Sequence, residues 1–289
     1  MNRLIELIRN HCQPLEPRAT DTAPQLVRLP NVRAVLFDIY GTLMISGSGD
    51  IGSDRADHRQ ASLQAVADLF DIELSCSAQE ANEAFATEVR AEHARLKASG
   101  TTYPEVDFRE IWSRVLSQIA NPTTAGAVDS TKFSLEFELR VNPTWPMPAA
   151  ESTLDELRQR DLMLGIVSNA QFFTPLLFSA LMERDLEGLG VSSELTYFSF
   201  EHRQAKPGTA LYDLAKSKLA ELGIGADQVL YVGNDMLNDV TAASQVGFRT
   251  ALFAGDQRSL RMRSDDERVH GVKADIVVTE LPQLIECLS

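Results

Sequence analysis

Cysteine is scarce in this chain of 289 residues. Cys12, Cys76 and Cys287 are odd in number and far apart, with no CxxC pair. That argues against a disulfide framework and a structural zinc site, and it points to a reducing cytoplasm. Positive charge is also in short supply: 27 Lys and Arg against 41 Asp and Glu leave a formal charge of −14. Nucleic acid or an anionic membrane would need a basic face, so neither is expected as the main partner, while a local basic pocket for a small anion stays open. No run approaches the roughly 20 apolar residues that span a bilayer. Residues Met1 to Asn10 carry Arg3, Glu6 and Arg9 among leucine and isoleucine, the pattern of an amphipathic helix and not of a signal peptide. His11, His58, His93, His202 and His270 show no HxxxH pairing or shared face, so they do not suggest a metal centre.

What is present is an ordinary globular composition, 44% hydrophobic and 24% charged. Residues 1–30 read as an extension that ends in a polar stretch around Pro14, Pro17 and Pro24. Arg33 to Phe37 is a short apolar run closed by Asp38 and a turn at Tyr40-Gly41-Thr42, the profile of a buried parallel strand. Between Met44 and Leu139 helical spacing dominates, over Ala56–Phe70, Ala78–Ala98 and Phe108–Ile119. Trp112 shares its spacing with Ile111, Val115 and Leu116 and is expected in the core of that block. The proline-bearing segment Asn142 to Pro148 reads as a linker.

Strict alternation follows. Helices are expected at Ser152–Gln159, Thr174–Met182, Thr209–Leu222, Leu237–Gln245 and Leu281–Leu288. They interleave with strands at Met163–Val167, Leu195–Phe198, Val229–Val232, Thr250–Phe253 and Ile276–Val278. This is the signature of an α/β fold with a Rossmann-like parallel sheet covered on both faces. The strand at Arg33 most simply joins that sheet, which makes residues 31–43 and 140–289 the core and residues 44–139 a helical insertion.

Ligands of open parallel sheets bind beyond the carboxyl ends of the strands. The residues there are Asp38, Tyr40 and Thr42, then Ser168 and Asn169, then Lys206, then Asn234, Asp235, Asn238 and Asp239. Singly, each is an ordinary turn, cap or solvated residue. Jointly, they put a carboxylate, hydroxyls, an ammonium and an acidic pair on one rim. A carboxylate can attack phosphorus or carbon, hydroxyls and lysine can hold an anion, and acids can carry Mg²⁺.

The run Val35-Leu-Phe-Asp38-Ile-Tyr40-Gly41-Thr42-Leu43, with Ile166-Val-Ser168-Asn169, Lys206-Pro207 and Tyr231-Val-Gly233-Asn234-Asp235-Met-Leu-Asn238-Asp239-Val, resembles the four motifs of the haloacid dehalogenase superfamily of hydrolases. The order matches, and the resemblance covers Arg33 to Phe253, with residues 44–139 in the place of that family's helical cap. It implies Asp38 as a nucleophile forming a covalent aspartyl intermediate, with Tyr40, Thr42, Ser168 and Lys206 completing the catalytic set. It implies that Ser168, Asn169 and Lys206 bind a small anionic substrate. In Mg²⁺-dependent members the ion is held by the equivalents of Asp38, the Tyr40 carbonyl, and Asp235 or Asp239.

Two departures bear on the reaction. Tyr40 stands where family phosphatases carry the acid that protonates the leaving alcohol, and haloacid dehalogenases, which need no metal, carry tyrosine there. Asn234 stands where phosphatases often place an acid, which leaves Asp235 as the expected ligand. The segment from Met44 to Gln60 lacks the arginine-bearing aromatic pattern of those dehalogenases. A Mg-dependent phosphatase is therefore the first expectation, a dehalogenase the second and a metabolite-binding protein without turnover the third. A receiver domain of a signalling system also gathers Asp, Ser or Thr, Lys and an acidic pair, but it carries no helical block after its phosphorylated Asp. Gly47-Ser-Gly49-Asp-Ile-Gly52 spells GxGxxG, yet it follows no strong strand and opens no apolar helix, so a hinge or flap is expected there in place of a dinucleotide site.

Overall fold

The computed structural model describes residues 2–49, 56–121 and 128–288. Asp50, Ile51 and Gly52 of the GxGxxG run lie outside the described residues. The chain begins with α1 (Asn2–His11), and β1 (Ala34–Phe37) and β2 (Met44–Ser46) follow. A helical series comes next: α2 (Ala56–Leu69), α3 (Ala78–Ala98), α4 (Phe108–Ile119) and α5 (Ser130–Val141). After β3 (Thr144–Pro146) come α6 (Ala150–Gln159), β4 (Met163–Ser168), α7 (Thr174–Leu181), β5 (Val191–Phe198), α8 (Ser199–His202) and α9 (Ala210–Glu221). The rest is β6 (Val229–Gly233), a π-helical turn (Met236–Thr241) running into α10 (Ala242–Gln245), β7 (Arg249–Phe253), β8 (Ile276–Val278) and α11 (Gln283–Cys287).

The main sheet has the order β5-β4-β1-β6-β7-β8 and every pairing in it is parallel. β1 sits at its centre, which is why its four residues are all buried. Strand geometry sends alternate side chains to opposite faces. Val35 and Phe37 meet Ile166, Leu230 and Val232 on one face, with Leu154 of α6 and Phe178 of α7 above them. Ala34 and Leu36 meet Tyr231, and Leu211 and Tyr212 of α9, on the other. Both faces are covered, so the strands are apolar runs and show no alternation.

The helices α2 to α5 enclose a separate apolar cluster around Trp112, whose ring centroid lies 4.7 Å from that of Phe85 and 5.0 Å from that of Phe137. One helix serves two cores: Phe133, Phe137 and Val141 of α5 face this cluster, while Leu135 and Leu139 face the sheet. The connection between α3 and α4 docks on the sheet's rim, where the Ala205 amide donates to the Tyr103 carbonyl at 2.8 Å and the Phe108 amide to Gln171 Oε1 at 2.9 Å.

Three expectations are corrected. Met44–Ser46, expected within a helical block, and Thr144–Pro146, expected within a linker, pair as an antiparallel ribbon. Three residues are too few to show a period, and only tertiary pairing makes them strands. Residues 1–30, read as an extension, pack against the core. Leu7, Ile8 and Cys12 are buried in the main core, and Gln25 and Leu29 bridge to Val277 and Leu288 at the sheet's edge. The helix expected from Leu237 starts instead as a π turn, held by the Thr241 hydroxyl on the Met236 carbonyl at 2.6 Å. All three cysteines are free thiols. Among the described residues no helix is long and apolar enough to cross a membrane.

Candidate active site

Asp38 directly follows β1, and its amide continues the ladder to the Val232 carbonyl at 2.9 Å. The turn behind it is tight: the amides of Thr42, Leu43 and Met44 all reach the Ile39 carbonyl. Gly41 holds φ +82° there, and a Cβ on it would lie 2.4 Å from the Ser259 Cβ, so the position demands glycine. Thr42 Oγ1 donates to Asn234 Oδ1 at 3.2 Å, and Asn234 Nδ2 donates to the Ser259 carbonyl at 2.5 Å. The first motif, the fourth motif and the segment after β7 are thereby locked together.

Lys206 is the hub. Its Nζ lies 2.7 Å from Asp38 Oδ1, 2.6 Å from Asp239 Oδ1 and 3.1 Å from the Tyr231 hydroxyl, and its side chain is 3% exposed. Burial draws the ammonium down, but Asp239 and Asp38 outweigh it and hold its pKa well above the ordinary lysine range. Burial pushes the Asp239 carboxyl up, against the pull of Lys206. Asn169 fixes the lysine's backbone: its Oδ1 accepts from the Lys206 amide at 2.8 Å and its Nδ2 donates to the Lys206 carbonyl at 3.2 Å.

These groups open onto a cavity of about 30 Å³ lined by Asp38, Tyr40, Asn169, Lys206, Asp235 and Asp239, with Gly49, Asn234, Asn238 and Arg261. The space suits one small reacting group. Two expected members stand back from it. Ser168, at the end of β4, is fully buried and turns its hydroxyl to the Asn169 carbonyl at 3.3 Å, and Thr42 spends its hydroxyl on Asn234. Tyr40 reaches the cavity, but its hydroxyl lies 3.0 Å from Thr174 Oγ1 within the apolar core. Burial raises that phenol far above its ordinary pKa, so it supplies no base at neutral pH.

Sequence reasoning missed the segment after β7. The rule that ligands gather beyond strand ends covers it, and Arg258, Arg261 and Arg263 in close succession are the signal. The segment is braced from the amino-terminal extension: the Arg18 amide donates to Asp256 Oδ1 at 3.1 Å and the Thr20 hydroxyl to the Ala254 carbonyl at 2.7 Å. Arg258 pairs with the buried Asp256 at 3.0 Å, and Arg263 with Asp235 at 2.7 Å.

Comparison with known proteins now has a geometry to meet. The family model for haloacid dehalogenase-like hydrolases matches residues 32–247. The chain belongs to this family. It is 29% identical over 145 residues to a ribulose-1,5-bisphosphate 5-phosphatase of Halopiger xanaduensis, a match spanning 50% of this chain and 56% of that protein. Its fold is similar to that of a 2-haloacid dehalogenase from Pseudomonas syringae pv. tomato, with TM-score 0.56 and 18% identity over 89% of this chain and 97% of the other. A dehalogenase crystallised as an intermediate complex is similar over 90% of this chain and 98% of its own, with TM-score 0.51 and 17% identity. The six-stranded parallel core is thus the fold of a hydrolase family that holds both dehalogenases and phosphatases.

The family's Mg²⁺ can be tested against the donors. Asp38 Oδ1 and Asp239 Oδ1 are both taken by Lys206, and Asp239 Oδ2 accepts the Asp235 amide at 2.9 Å. Asp235, the expected ligand, caps the turn that follows it: its Oδ1 accepts from the amides of Leu237 and Asn238, and its Oδ2 faces Arg263. Among the described residues no cluster of His, Cys, Asp or Glu side chains is arranged to hold a metal. As arranged, Asp235 and both oxygens of Asp239 are already engaged and offer the ion no oxygen. An Asp that opens a helix is drawn to the orphan amides, and a guanidinium completes its neutralisation.

Proposed function

We propose that this chain is a hydrolase in which Asp38 attacks a small anionic substrate, with phosphate monoesters as the first substrate class. The observation that carries the reading is the buried Lys206 ammonium bridging Asp38 and Asp239 beside the cavity. It holds Asp38 aimed, and it offsets charge that gathers as the bond forms. In the first step a carboxylate oxygen of Asp38 bonds phosphorus while the ester P–O bond breaks and the alkoxide leaves with the electron pair. In the second, water attacks phosphorus, the Asp38–phosphorus bond breaks, the carboxylate is regenerated and orthophosphate leaves. Across both steps one water is consumed and one of its protons ends on the alcohol.

The phosphatase relative supports this substrate class, and Tyr40 limits it. An acid in that position is usually worth about 10²–10⁴ in rate, and a phenol committed to Thr174 does not supply it. Aryl and acyl phosphates, whose leaving groups need no proton, are therefore the best substrates. Magnesium enters this reading only if Arg263 releases Asp235. Dehalogenation of a 2-haloacid is the second reading, favoured by the same Tyr40 and by the neutralised carboxylates. There Asp38 attacks carbon, halide leaves with the bonding pair, and water hydrolyses the ester. We assign the helices between β2 and β3 the role of a cap domain, supported by the docking of residues 103–108 beside Asn169 and Lys206.

The test is release of orthophosphate and halide from aryl, acyl and alkyl phosphates and 2-haloacids, after exhaustive chelation and again with Mg²⁺ restored. Phosphate release that chelation changes by less than about threefold is the expected result. Halide release alone selects the second reading, and activity that collapses on chelation and returns with Mg²⁺ overturns the donor argument. Asp38→Asn should lower turnover by several powers of ten, and retention within about tenfold removes the covalent mechanism.

A further inference from the structure

Around the cavity the charged side chains of the described residues pair off, with one exception. Lys206 is shared by Asp38 and Asp239, Arg263 is spent on Asp235, and Arg258, next along the same segment, is spent on Asp256. Arg261 lines the cavity, and among the described residues it has no carboxylate within ion-pair distance. Among the described residues its guanidinium bonds to backbone: Nη1 donates to the Arg258 carbonyl at 2.6 Å and to the Leu260 carbonyl at 3.2 Å.

The position is built, not incidental. The Arg261 amide donates to the Asn234 carbonyl at 3.0 Å and the Met236 amide donates to the Arg261 carbonyl at 2.9 Å. Two backbone bonds thus strap this arginine to the fourth-motif loop on either side of Asp235. Gly49 makes room beside it on the same wall. It holds φ +85°, and a Cβ there would lie 2.6 Å from Arg261 Nη2 and closer still to the Arg258 carbonyl. A half-buried guanidinium with a fixed backbone, a cleared neighbour and no carboxylate partner among the described residues is suited to an anion that arrives from outside.

We propose that Arg261 binds the oxyanion of the substrate, gripping the group that Asp38 attacks or the group attached to it. The proposal rests on the reading of Asp38 as nucleophile. It adds to the cavity a positive charge that no carboxylate of the described residues already engages, unlike those of Lys206 and Arg263. The shared chemistry is a pair of oxygens presented to a planar fork, from a phosphoryl group under the first reading and from a carboxylate under the second. The alternative is that Arg261 merely balances the acidic wall. In that case its loss changes stability and leaves anion binding alone.

The experiment measures calorimetric binding of orthophosphate and of acetate to the wild type and to Arg261→Lys, Arg261→Gln and Asp38→Asn, with KM and kcat on the best substrate of the screen. Arg261→Gln should weaken the preferred anion and raise KM by about tenfold or more, while kcat changes by less than about threefold. Arg261→Lys, which keeps charge but loses the fork, should fall between it and the wild type. Preference for orthophosphate assigns the phosphoryl group, and preference for acetate assigns the carboxylate. Arg261 variants that leave KM and both affinities within about twofold of the wild type overturn the proposal, as does a wild type that binds neither anion. Asp38→Asn separates the two ideas. Turnover retained in that variant removes the nucleophile, and its anion affinity still judges Arg261 by comparison with Arg261→Gln.

Discussion

The cavity has two unlike walls. One is made of Asp38 and Asn169, just beyond β1 and β4, with Lys206 after α8 and Asp239 in the π turn; the buried ammonium joins Asp38 to Asp239, and Asn169 holds the Lys206 backbone. The other is made of Gly49 and Arg261, brought there by a turn after β2 and by the segment after β7. Asp38, Lys206 and Asp239 of the first wall are buried, so packing fixes where they stand. The second is loop, tied down by hydrogen bonds to the fourth motif and by the amino-terminal extension through Arg18 and Thr20. Chemistry common to a family can sit on the first kind of wall and specificity on the second, because loops accept change that a packed sheet does not.

Breaking the first wall should have the largest effect. Lys206→Met leaves Asp38 and Asp239 buried without their cation, and removal of one partner of a buried pair costs roughly 3–5 kcal/mol. Urea unfolding should show that loss at pH 8 and a smaller one at pH 5. Burial already holds the Asp239 carboxyl above its ordinary range, and once Lys206 is gone protonation removes the unpaired charge. A loss that grows on acidification would mean that the carboxylates find other partners.

The second wall can be loosened more gently. Asp256→Asn keeps the shape of a buried side chain that Arg258 grips at 3.0 Å and that accepts the Arg18 amide. It removes only the charge, so a stability loss of about 1–2 kcal/mol is expected, with KM raised and kcat little changed. If kcat falls and KM does not, the two walls are not separable in the way described.

The smallest effect should come from Tyr40→Phe, which deletes one hydroxyl. Because that hydroxyl is spent on Thr174, the variant should lose about 1 kcal/mol of stability and keep its turnover within about threefold. A larger drop in turnover would place the phenol in the chemistry and move Tyr40 from the apolar core to the working wall.

Much of this is readable in the sequence. The parallel strands show as short apolar runs because both faces of the sheet are covered, and Asp38, Lys206 and Asp239 follow from asking what stands beyond them. The helical block shows in its spacing, with Trp112 at its centre as expected. The failures share a cause. The ribbon of Met44–Ser46 with Thr144–Pro146, the packing of Leu7 and Ile8 under the core and the grip of Arg263 on Asp235 all join residues far apart in the chain.

The sequence by itself determined the α/β class and the order along the chain of the polar residues that stand along the rim. These depend on the period of burial and on local turn residues, which are written residue by residue. Only the tertiary structure decided which carboxylates are neutralised, that Ser168 and the Tyr40 hydroxyl turn away from the cavity, and that Arg261 faces it. Those outcomes depend on which distant groups compete for the same partner once the chain is packed, and no local pattern encodes that competition.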